Sequence, residues 1–253
     1  MAKASAPRRF APLKHVPGRL PETLPSLQGV IFDVDGTLCL PQNYMFDQMR
    51  AVLRIPKSTD ILTHIASLPT AAEQTTAMDS IRAIEREAME SQEAQPGLTK
   101  LMQYLQEQGV RKAICTRNFD QPVTHLLEKF LVGHHFAPIV TRDFRPPKPD
   151  PAGLLFIARS WGLVRGSRIR PDDELVSTDG VGEEVGDASS LIMVGDSIDD
   201  MTAGRHAGAA TVLLVNSQNA SLAEHPHTDL VIRSLDELVN VLENGFVGRE
   251  ILR

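Results

Sequence analysis

The sequence has few of the features that mark secreted, membrane-spanning or disulfide-stapled proteins. Its 253 residues include only two cysteines, which cannot build a disulfide framework. It has no run of about 18 apolar residues that could cross a bilayer, and no apolar secretory segment near residue 1. We therefore expect a cytoplasmic protein, with the nucleus as a second compartment, that does not bind membranes.

The sequence also lacks an excess of basic residues. It has 26 lysines and arginines against 32 aspartates and glutamates, which gives a formal net charge of −6. A general nucleic-acid-binding protein usually carries a basic surplus, so we expect no nucleic-acid partner. The 42% of hydrophobic and 23% of charged residues are typical of a folded globular protein, which excludes wholesale disorder, collagen and coiled coil.

Two segments lack the patterns of regular structure. Residues 1–26 contain five prolines at a spacing that prevents a helix, which predicts a flexible tail. A transit peptide is the alternative because no acid precedes Glu22, although the prolines disfavour the amphipathic helix that it needs. Residues 171–189 contain seven acids and neither lysine nor arginine, which predicts a disordered acidic loop.

Elsewhere, strand and helix patterns alternate along the chain. This alternation predicts an α/β fold with a parallel sheet covered by helices on both faces. Residues 44–94 differ, because they show helical periodicity with almost no strand signal. They predict an all-helical insertion after the first strand, in a discontinuous core of residues 27–43 and 95–253. The predicted strands are 29–34, 111–116, 138–141, 191–195, 210–215 and 230–232.

Four polar segments follow strands of the predicted sheet, at the edge where ligands bind in this fold class. Carboxylates that converge on a pocket repel one another unless a cation lies among them, and oxygen ligands favour a hard ion such as Mg2+. Lys148 and Thr116 could neutralise and hydrogen-bond phosphoryl oxygens, so the joint pattern predicts a phosphate site. The segments are Asp33-Val-Asp-Gly-Thr-Leu38, Cys115-Thr-Arg-Asn118, Lys148-Pro-Asp-Pro151 and Gly195-Asp-Ser-Ile-Asp-Asp-Met201.

In this order, the segments resemble the four motifs of the haloacid dehalogenase-like (HAD) superfamily of hydrolases. The resemblance covers about residues 28–243 and is closer still to uncharacterised fungal members with Ile-Cys-Thr-Arg-Asn at the second motif. It implies a Rossmann-like, three-layer core with a parallel sheet. It also implies that the helical insertion is a type 1 cap, a lid that excludes water and selects the leaving group.

The resemblance further implies a role for individual residues. Asp33 would be the nucleophile that forms an aspartyl-phosphate, and Asp35 the general acid and then the general base. The Asp33 carboxylate, the Asp35 carbonyl and Asp196 would bind Mg2+, with Asp200 in the same metal-binding set to orient the site. The implied phosphate-binding residues are Thr116, Arg117, Asn118 and Lys148.

These assignments predict a Mg2+-dependent phosphatase for small phosphorylated metabolites, acting as a monomer or homodimer. Asp35 favours phosphoryl transfer, because dehalogenases of the superfamily need neither that acid nor a metal. A phosphomutase stays open since mutases share both aspartates, and a non-catalytic binding protein with the same fold is the third hypothesis. Leaving-group contacts are predicted for Tyr44, Arg50, Arg117 and Asn118, and inert buried thiols for Cys39 and Cys115.

Overall fold

The computed structural model describes residues 8–14, 24–165 and 185–249. Within these ranges, the strands are β1 (Gly29–Phe32), β2 (Arg111–Cys115), β3 (Ile139–Val140), β4 (Val164–Arg165), β5 (Val185–Gly186), β6 (Leu191–Gly195), β7 (Ala210–Leu214) and β8 (Leu230–Ile232). Six of them form a parallel sheet in the order β3-β2-β1-β6-β7-β8, and β4 and β5 form a separate antiparallel pair. Each predicted strand is confirmed, although β1 ends at Phe32, directly before Asp33.

Helices cover both faces of the six-stranded sheet. Because side chains alternate along a strand, Phe32 packs into a cluster with helices α4, α5 and α8, whereas Ile31 packs on the other face with α6 and α7. These three layers confirm the α/β, Rossmann-like architecture. The helices are α1 (Asn43–Leu53), α2 (Ile61–Ser67), α3 (Ala71–Glu90), α4 (Leu98–Glu107), α5 (Asp120–Phe130), α6 (Ala152–Ser160), α7 (Ile198–Ala207) and α8 (Glu237–Asn244), with a 3-10 turn at Ala220–Glu224.

Helices α1, α2 and α3 form the insertion between β1 and β2. Asp60 caps α2 by accepting a hydrogen bond from the backbone of Thr63, and Thr70 forms a capping box with Glu73 at the start of α3. The insertion has a hydrophobic cluster of its own, which includes Met45, Met49, Ile61, Ile65 and Ile81. Among the residues that the structure describes, no helix is long and apolar enough to span a membrane.

The predicted tail differs from the structure where it is described. The Phe10 side chain is only 1% exposed, and its ring centroid lies 5.6 Å from that of Phe246. The Phe10 amide also donates to the Phe246 carbonyl at 3.1 Å, and the Leu13 amide donates to Leu242. The prediction of a flexible tail is therefore wrong for residues 8–14, because an apolar anchor there is buried in the core. Residues 1–7 and 15–23 lie outside the described residues.

The predicted acidic loop is likewise a partial match. Residues 171–184 lie outside the described part of the chain, but Val185–Gly186 forms β5 and pairs with β4. Asp187 forms an ion pair with Arg165 at 3.2 Å and accepts a hydrogen bond from the Ser189 amide. The C-terminal end of the segment 171–189 is therefore ordered on the core, contrary to the prediction of a disordered loop.

Candidate active site

The carboxyl ends of the central strands meet at one edge of the sheet. Strand β1 lies between β2 and β6, so the residues that follow these three strands are neighbours in space. The Asp33 amide donates to Val194 of β6 at 3.0 Å, and the Thr116 amide donates to Val140 of β3 at 2.8 Å. The structure thus brings Asp33, Thr116 and Asp196 together, as the parallel topology predicts.

Lys148 lies in the centre of this cluster. Its Nζ atom is 2.7 Å from Oδ1 of Asp33 and also hydrogen-bonds Oδ1 of Asp200. All three side chains are buried. Burial opposes the positive charge, but the carboxylates of Asp200 and Asp33 outweigh it and raise the pKa of Lys148. The lysine is therefore held as a cation beside the predicted nucleophile.

The carboxylates outnumber this one cation. Oxygen atoms of Asp33, Asp196 and Asp200 lie within 4.8 Å of one another. Burial raises the pKa of Asp33 to about 7, against the opposing effect of Lys148, and burial together with the charge of Asp33 raises that of Asp196 to about 8. A divalent cation would relieve this repulsion, and an all-oxygen donor set fits Mg2+.

Asp196 and Asp200 make different contacts. Both oxygens of Asp200 are engaged, one by Lys148 and the other by the amide and hydroxyl of Ser197. Asp196 accepts a hydrogen bond at Oδ2 from the Asn216 amide at 3.2 Å, and Asn219 donates to its carbonyl at 2.7 Å. Asp196 therefore keeps free lone pairs for a metal, whereas Asp200 orients the lysine and the start of α7.

Gly36 makes the approach of Asp196 possible. Its φ of 81° lies in the left-handed region, and a Cβ there would stand 2.2 Å from Oδ2 of Asp196. Glycine is therefore required at position 36 for two reasons: the backbone is left-handed there, and a side chain would collide with Asp196. The turn that carries Asp33 and Asp35 can only fold beside Asp196 because a side chain is missing at this position.

Asp35 faces the same space from the turn after β1. Its Oδ2 accepts a hydrogen bond from Nδ2 of Asn118 at 2.9 Å, and burial raises its pKa. The backbone N–H of Asn118 donates to the Thr116 hydroxyl at 3.1 Å, and the side-chain oxygen of Asn118 accepts a hydrogen bond from the backbone N–H of Phe119 at 2.8 Å. Asn118 is thus fixed on both sides, and it holds the carboxyl of Asp35 in place.

A cavity of about 270 Å³ lies between this sheet edge and the helical insertion. Its wall includes all the predicted catalytic, phosphate-binding and metal-binding residues except Asp200, together with apolar side chains from α1, α2 and α3. Arg50 lines the cavity, as predicted for a leaving-group contact. Tyr44 does not, because it is 49% exposed and its hydroxyl lies 3.1 Å from that of Ser91. The prediction for Tyr44 is therefore wrong.

Arg117 joins the insertion to the core. Its guanidinium forms ion pairs with Asp60, which caps α2, and with Asp199 in the first turn of α7. These hydrogen bonds and charges outweigh burial and raise the pKa of Arg117. The side chain lines the cavity, yet in this arrangement its donors face two carboxylates. A direct phosphate contact by Arg117 stays a prediction.

The polar residues of the site that sequence reasoning missed include Glu85, Arg142 and Asn216. Arg142 lies two residues after the end of β3. Thr116 was selected because it follows a strand at the ligand-binding edge of the sheet, and the same reasoning could have selected Arg142. Glu85 is a lone acid on the buried face of α3, four residues after Ile81. A charged residue at such a position usually has an oppositely charged partner, because unpaired charges are rarely buried. Asn216 comes two residues after β7, again at the carboxyl edge.

Both cysteines are buried, as predicted. Burial raises the pKa of the Cys39 thiol, and it raises that of Cys115 to about 12. A thiol that keeps its proton at neutral pH is a poor nucleophile and a poor metal ligand. Neither cysteine therefore adds chemistry to the cavity, and the carboxylates, the lysine and the amides define the site.

The haloacid dehalogenase-like hydrolase model matches residues 27–208, which include every motif of the site. The chain belongs to this hydrolase family. An uncharacterised hydrolase of Saccharomyces cerevisiae, YOR131C, is 41% identical over 226 residues, 87% of this chain and 93% of the yeast protein. The resemblance to HAD-like proteins, and to an uncharacterised fungal member in particular, is thereby confirmed.

More distant HAD relatives extend this comparison. Phosphoglycolate phosphatase 1 of Pseudomonas aeruginosa is 31% identical over 150 residues, 58% of this chain and 46% of that enzyme. The match to that enzyme thus spans less than half of its length. The crystal structure of a hydrolase from Pseudomonas syringae has a TM-score of 0.61 at 20% identity, covering 85% of this chain and 98% of that one, which shows that the two proteins share a fold.

Proposed function

We propose that this HAD-like hydrolase is a Mg2+-dependent phosphatase that cleaves small phosphomonoesters through an aspartyl-phosphate. The observation that carries the proposal is the pairing of Lys148 with Asp33 at 2.7 Å inside a buried cluster of acids. A lysine in this position neutralises the nucleophile and an incoming phosphoryl group together. The presence of phosphoglycolate phosphatases among the relatives supports phosphomonoester chemistry.

In the first step, a carboxylate oxygen of Asp33 attacks phosphorus in line. The bond between phosphorus and the ester oxygen breaks, and the leaving alkoxide takes a proton from Asp35. The raised pKa of Asp35 favours the protonated form that this transfer needs. The phosphoryl oxygens would be held by Lys148, Thr116 and Asn118. The last two residues are fixed to each other, because the backbone amide of Asn118 donates to the Thr116 hydroxyl at 3.1 Å.

In the second step, water hydrolyses the aspartyl-phosphate. The ionised Asp35 takes a proton from the water as its oxygen bonds to phosphorus, and the bond to the Asp33 oxygen breaks. Inorganic phosphate leaves, and both aspartates return to their starting states. The hydrogen bond from Asn118 keeps the Asp35 carboxyl in position for both transfers.

The Mg2+ ion would be held by the carboxylates of Asp33 and Asp196 and by the Asp35 carbonyl. When bound, it supplies positive charge that neutralises the phosphoryl oxygens and the carboxylate cluster. Asn216 keeps Asp196 oriented, and Gly36 leaves the space that Asp196 occupies. Asp200 acts through Lys148 and Ser197, with which both of its oxygens are hydrogen-bonded.

The cavity supports a small substrate. Its volume of about 270 Å³ is enclosed by the sheet edge and by the helices of the insertion, which would act as a cap. A phosphorylated metabolite can enter such a space, whereas a folded phosphoprotein would need an open cleft. Apolar side chains such as Met45, Met49 and Ile81 would contact the carbon skeleton of the leaving group.

The test is the release of inorganic phosphate from a generic aryl phosphate, with and without Mg2+. We expect Mg2+-dependent turnover by the wild type and a loss of about a thousandfold or more in Asp33→Asn, as expected on removal of a covalent nucleophile. Asp143→Asn is the matched control, because Asp143 is exposed near the same sheet edge. Equal, slow rates in wild type and Asp33→Asn would overturn the proposal.

A second assay addresses the phosphomutase hypothesis. Sugar monophosphates are incubated with the enzyme, and both free phosphate and the positional isomers are measured. Net phosphate release supports the phosphatase, whereas isomerisation without release would favour a mutase. Absence of both reactions, with no turnover of the aryl phosphate, would favour the non-catalytic binding protein.

A further inference from the structure

Glu85 and Arg142 form a buried ion pair between the insertion and the core. Glu85 is on α3 and Arg142 follows β3, and each residue is 3% exposed. The Arg142 backbone is fixed by a hydrogen bond from its amide to the Asn118 carbonyl at 2.8 Å. Its guanidinium also lies over the Phe119 ring, at 5.3 Å from the ring centroid. Arg142 is thus a rigid cation with a carboxylate placed against it.

The pair lies beside the position of the leaving group. Nη2 of Arg142 is 3.4 Å from Oδ1 of Asn118, and Nδ2 of Asn118 is 2.9 Å from Oδ2 of Asp35. Asp35 is the acid that would protonate the ester oxygen, and only the side chain of Asn118 separates Arg142 from Asp35. Glu85 and Arg142 both line the cavity. They would therefore meet the first carbons of the substrate.

Two of the other cations of the cavity are paired with carboxylates. Arg117 is paired with Asp60 and Asp199, and Lys148 is paired with Asp33 and Asp200. Arg50 is half-buried: its Nη1 donates to the Phe46 carbonyl at 3.4 Å, and its Nε is buried without a hydrogen-bond partner among the described residues. Arg117, Lys148 and Arg142 thus already face carboxylates, whereas Arg50, on α1 of the insertion, forms no ion pair within the described residues.

We propose that Glu85 is a specificity-determining residue, which occupies Arg142 and excludes leaving groups that carry a carboxylate next to the ester carbon. A substrate carboxylate in this position would have to share one guanidinium with Glu85 in a buried space, where like charges repel strongly. The preferred leaving group is neutral and carries a hydroxyl. This inference rests on the proposed phosphatase function and names the substrate class of the same site.

An unpartnered acceptor supports the neutral, hydroxyl-bearing class. Oε2 of Glu85 is buried and has no hydrogen-bond partner within the described part of the chain, while Oε1 is taken by Arg142. A buried acceptor gains from a hydroxyl donor, whereas a second acceptor beside it costs free energy. Nε of Arg142 is likewise buried without a partner among the described residues. A hydroxyl can donate to Glu85 and accept from Arg142, whereas a carboxylate can only accept, so the pair favours a hydroxyl on the substrate.

The experiment compares two substrates of nearly equal size, 2-hydroxyethyl phosphate and 2-phosphoglycolate, at pH 8 with Mg2+. This pH is above the value of about 7 to which burial raises the pKa of Glu85, so the carboxylate is ionised. For the wild type we expect kcat/KM to favour 2-hydroxyethyl phosphate by about tenfold or more. In Glu85→Gln, Arg142 is released, and we expect the ratio to shift towards 2-phosphoglycolate by about tenfold or more.

Two further variants isolate the cause. Glu87→Gln makes the same change at an exposed position of α3 and should leave the ratio at its wild-type value. The double variant Glu85→Gln/Arg142→Gln should lose the gained activity on 2-phosphoglycolate, because its carboxylate then has no cation. A wild-type preference for 2-phosphoglycolate, or an unchanged ratio in a folded Glu85→Gln, overturns the inference.

The wild-type ratio needs no variant, so it decides the question alone if Glu85→Gln fails to fold. The aryl phosphate separates this inference from the proposed function. If the wild type releases phosphate from the aryl ester but shows no preference between the two small substrates, only the specificity inference fails. If it releases phosphate from none of the three, the phosphatase proposal fails.

Discussion

Nζ of Lys148 lies 2.7 Å from Oδ1 of Asp33, although the two residues are 115 positions apart in the chain. Both side chains are buried, so the contact has little competition from water. The pair joins the loop after β1 to the segment that precedes α6 and places a fixed positive charge beside the proposed nucleophile. Most of the proposed chemistry depends on this contact.

Lys148→Met should nearly abolish phosphatase activity. The change removes the cation that balances Asp33 and Asp200 and that would hold a phosphoryl oxygen, so we expect kcat/KM to fall by about a hundredfold to a thousandfold. Steady-state kinetics on the aryl phosphate measure the loss, and far-ultraviolet circular dichroism checks the fold. Lys100→Met, which removes an exposed lysine of α4 that pairs with Asp236 away from the cavity, is the control. Activity within threefold of wild type would contradict the role of Lys148.

Asn216→Ala should weaken metal binding more than it weakens folding. Asn216 donates to Oδ2 of Asp196 at 3.2 Å, and partners that orient a metal ligand typically contribute about tenfold to a hundredfold in affinity. Titration calorimetry with Mg2+ alone measures the dissociation constant. Gln218→Ala changes an exposed neighbour and should bind like the wild type. Unchanged affinity in Asn216→Ala would show that Asp196 needs no such support.

The free energy of unfolding should depend on pH in a way that follows the titration of Glu85. Burial raises its pKa from 4.5 to about 7, while Arg142 and Arg82 oppose the shift and Asp35 adds to it. Between these values the folded state binds more protons than the unfolded state, so this contribution to stability is present below about pH 4.5 and is lost as the pH rises towards 7. The melting temperature of wild type relative to Glu85→Gln should therefore fall over this range.

Thermal unfolding of both proteins in steps from pH 4.5 to 8 measures this difference. The curve should become flat above about pH 7, where Glu85 is ionised in both states. Glu87→Gln should run parallel to the wild type throughout, because Glu87 is exposed. A difference that stays constant, or grows with pH, would mean that Arg142 keeps Glu85 ionised in the folded protein.

The ion pair of Arg117 and Asp60 should couple the insertion to the core. Both side chains are partly exposed, so we expect a coupling free energy of only about 1 kcal/mol in a double-mutant cycle of Arg117→Ala and Asp60→Ala. Because the pair joins the insertion to the core at the cavity wall, KM for a small substrate should rise in both single variants. Lys57→Ala disrupts an exposed pair within the insertion and should change neither value.

A different result would identify another role for Arg117. If Arg117→Ala lowers kcat strongly while Asp60→Ala has no effect, the arginine contacts the phosphoryl group, as the sequence motif predicts. Asp199→Ala then serves as a further comparison, because Asp199 holds the same guanidinium from the core side. A KM effect shared by Arg117 and Asp60 supports a closing contact.

Much of the fold could be predicted from local patterns. Short apolar runs that end in polar residues predict parallel strands, and the order of the four segments predicts which strand ends meet. The site residues Asp33, Asp35, Lys148 and Asp196 follow from these rules, because their positions depend on strand ends and tight turns. Gly36 illustrates this, since one missing side chain allows the turn to approach Asp196.

Other features depend on contacts that local patterns do not encode. The burial of Phe10 against Phe246 is one case, because its partner lies 236 positions away and the surrounding prolines indicate an irregular chain. The β4 and β5 pair is another, since two-residue strands carry almost no periodic signal. In the described parts of these regions, residues 8–14 and 185–189, a high content of proline or acid is compatible with ordered packing on the core.

The sequence by itself determined the α/β fold, the family and the acids that meet at the carboxyl edge of the sheet. Each depends on residues close together in the chain or on the handedness of parallel sheets. Only the tertiary structure decided that Glu85 meets Arg142 and that Arg117 meets Asp60. These contacts depend on the angle at which α2 and α3 pack over the sheet edge. Many side chains of the insertion and of the core set that angle together.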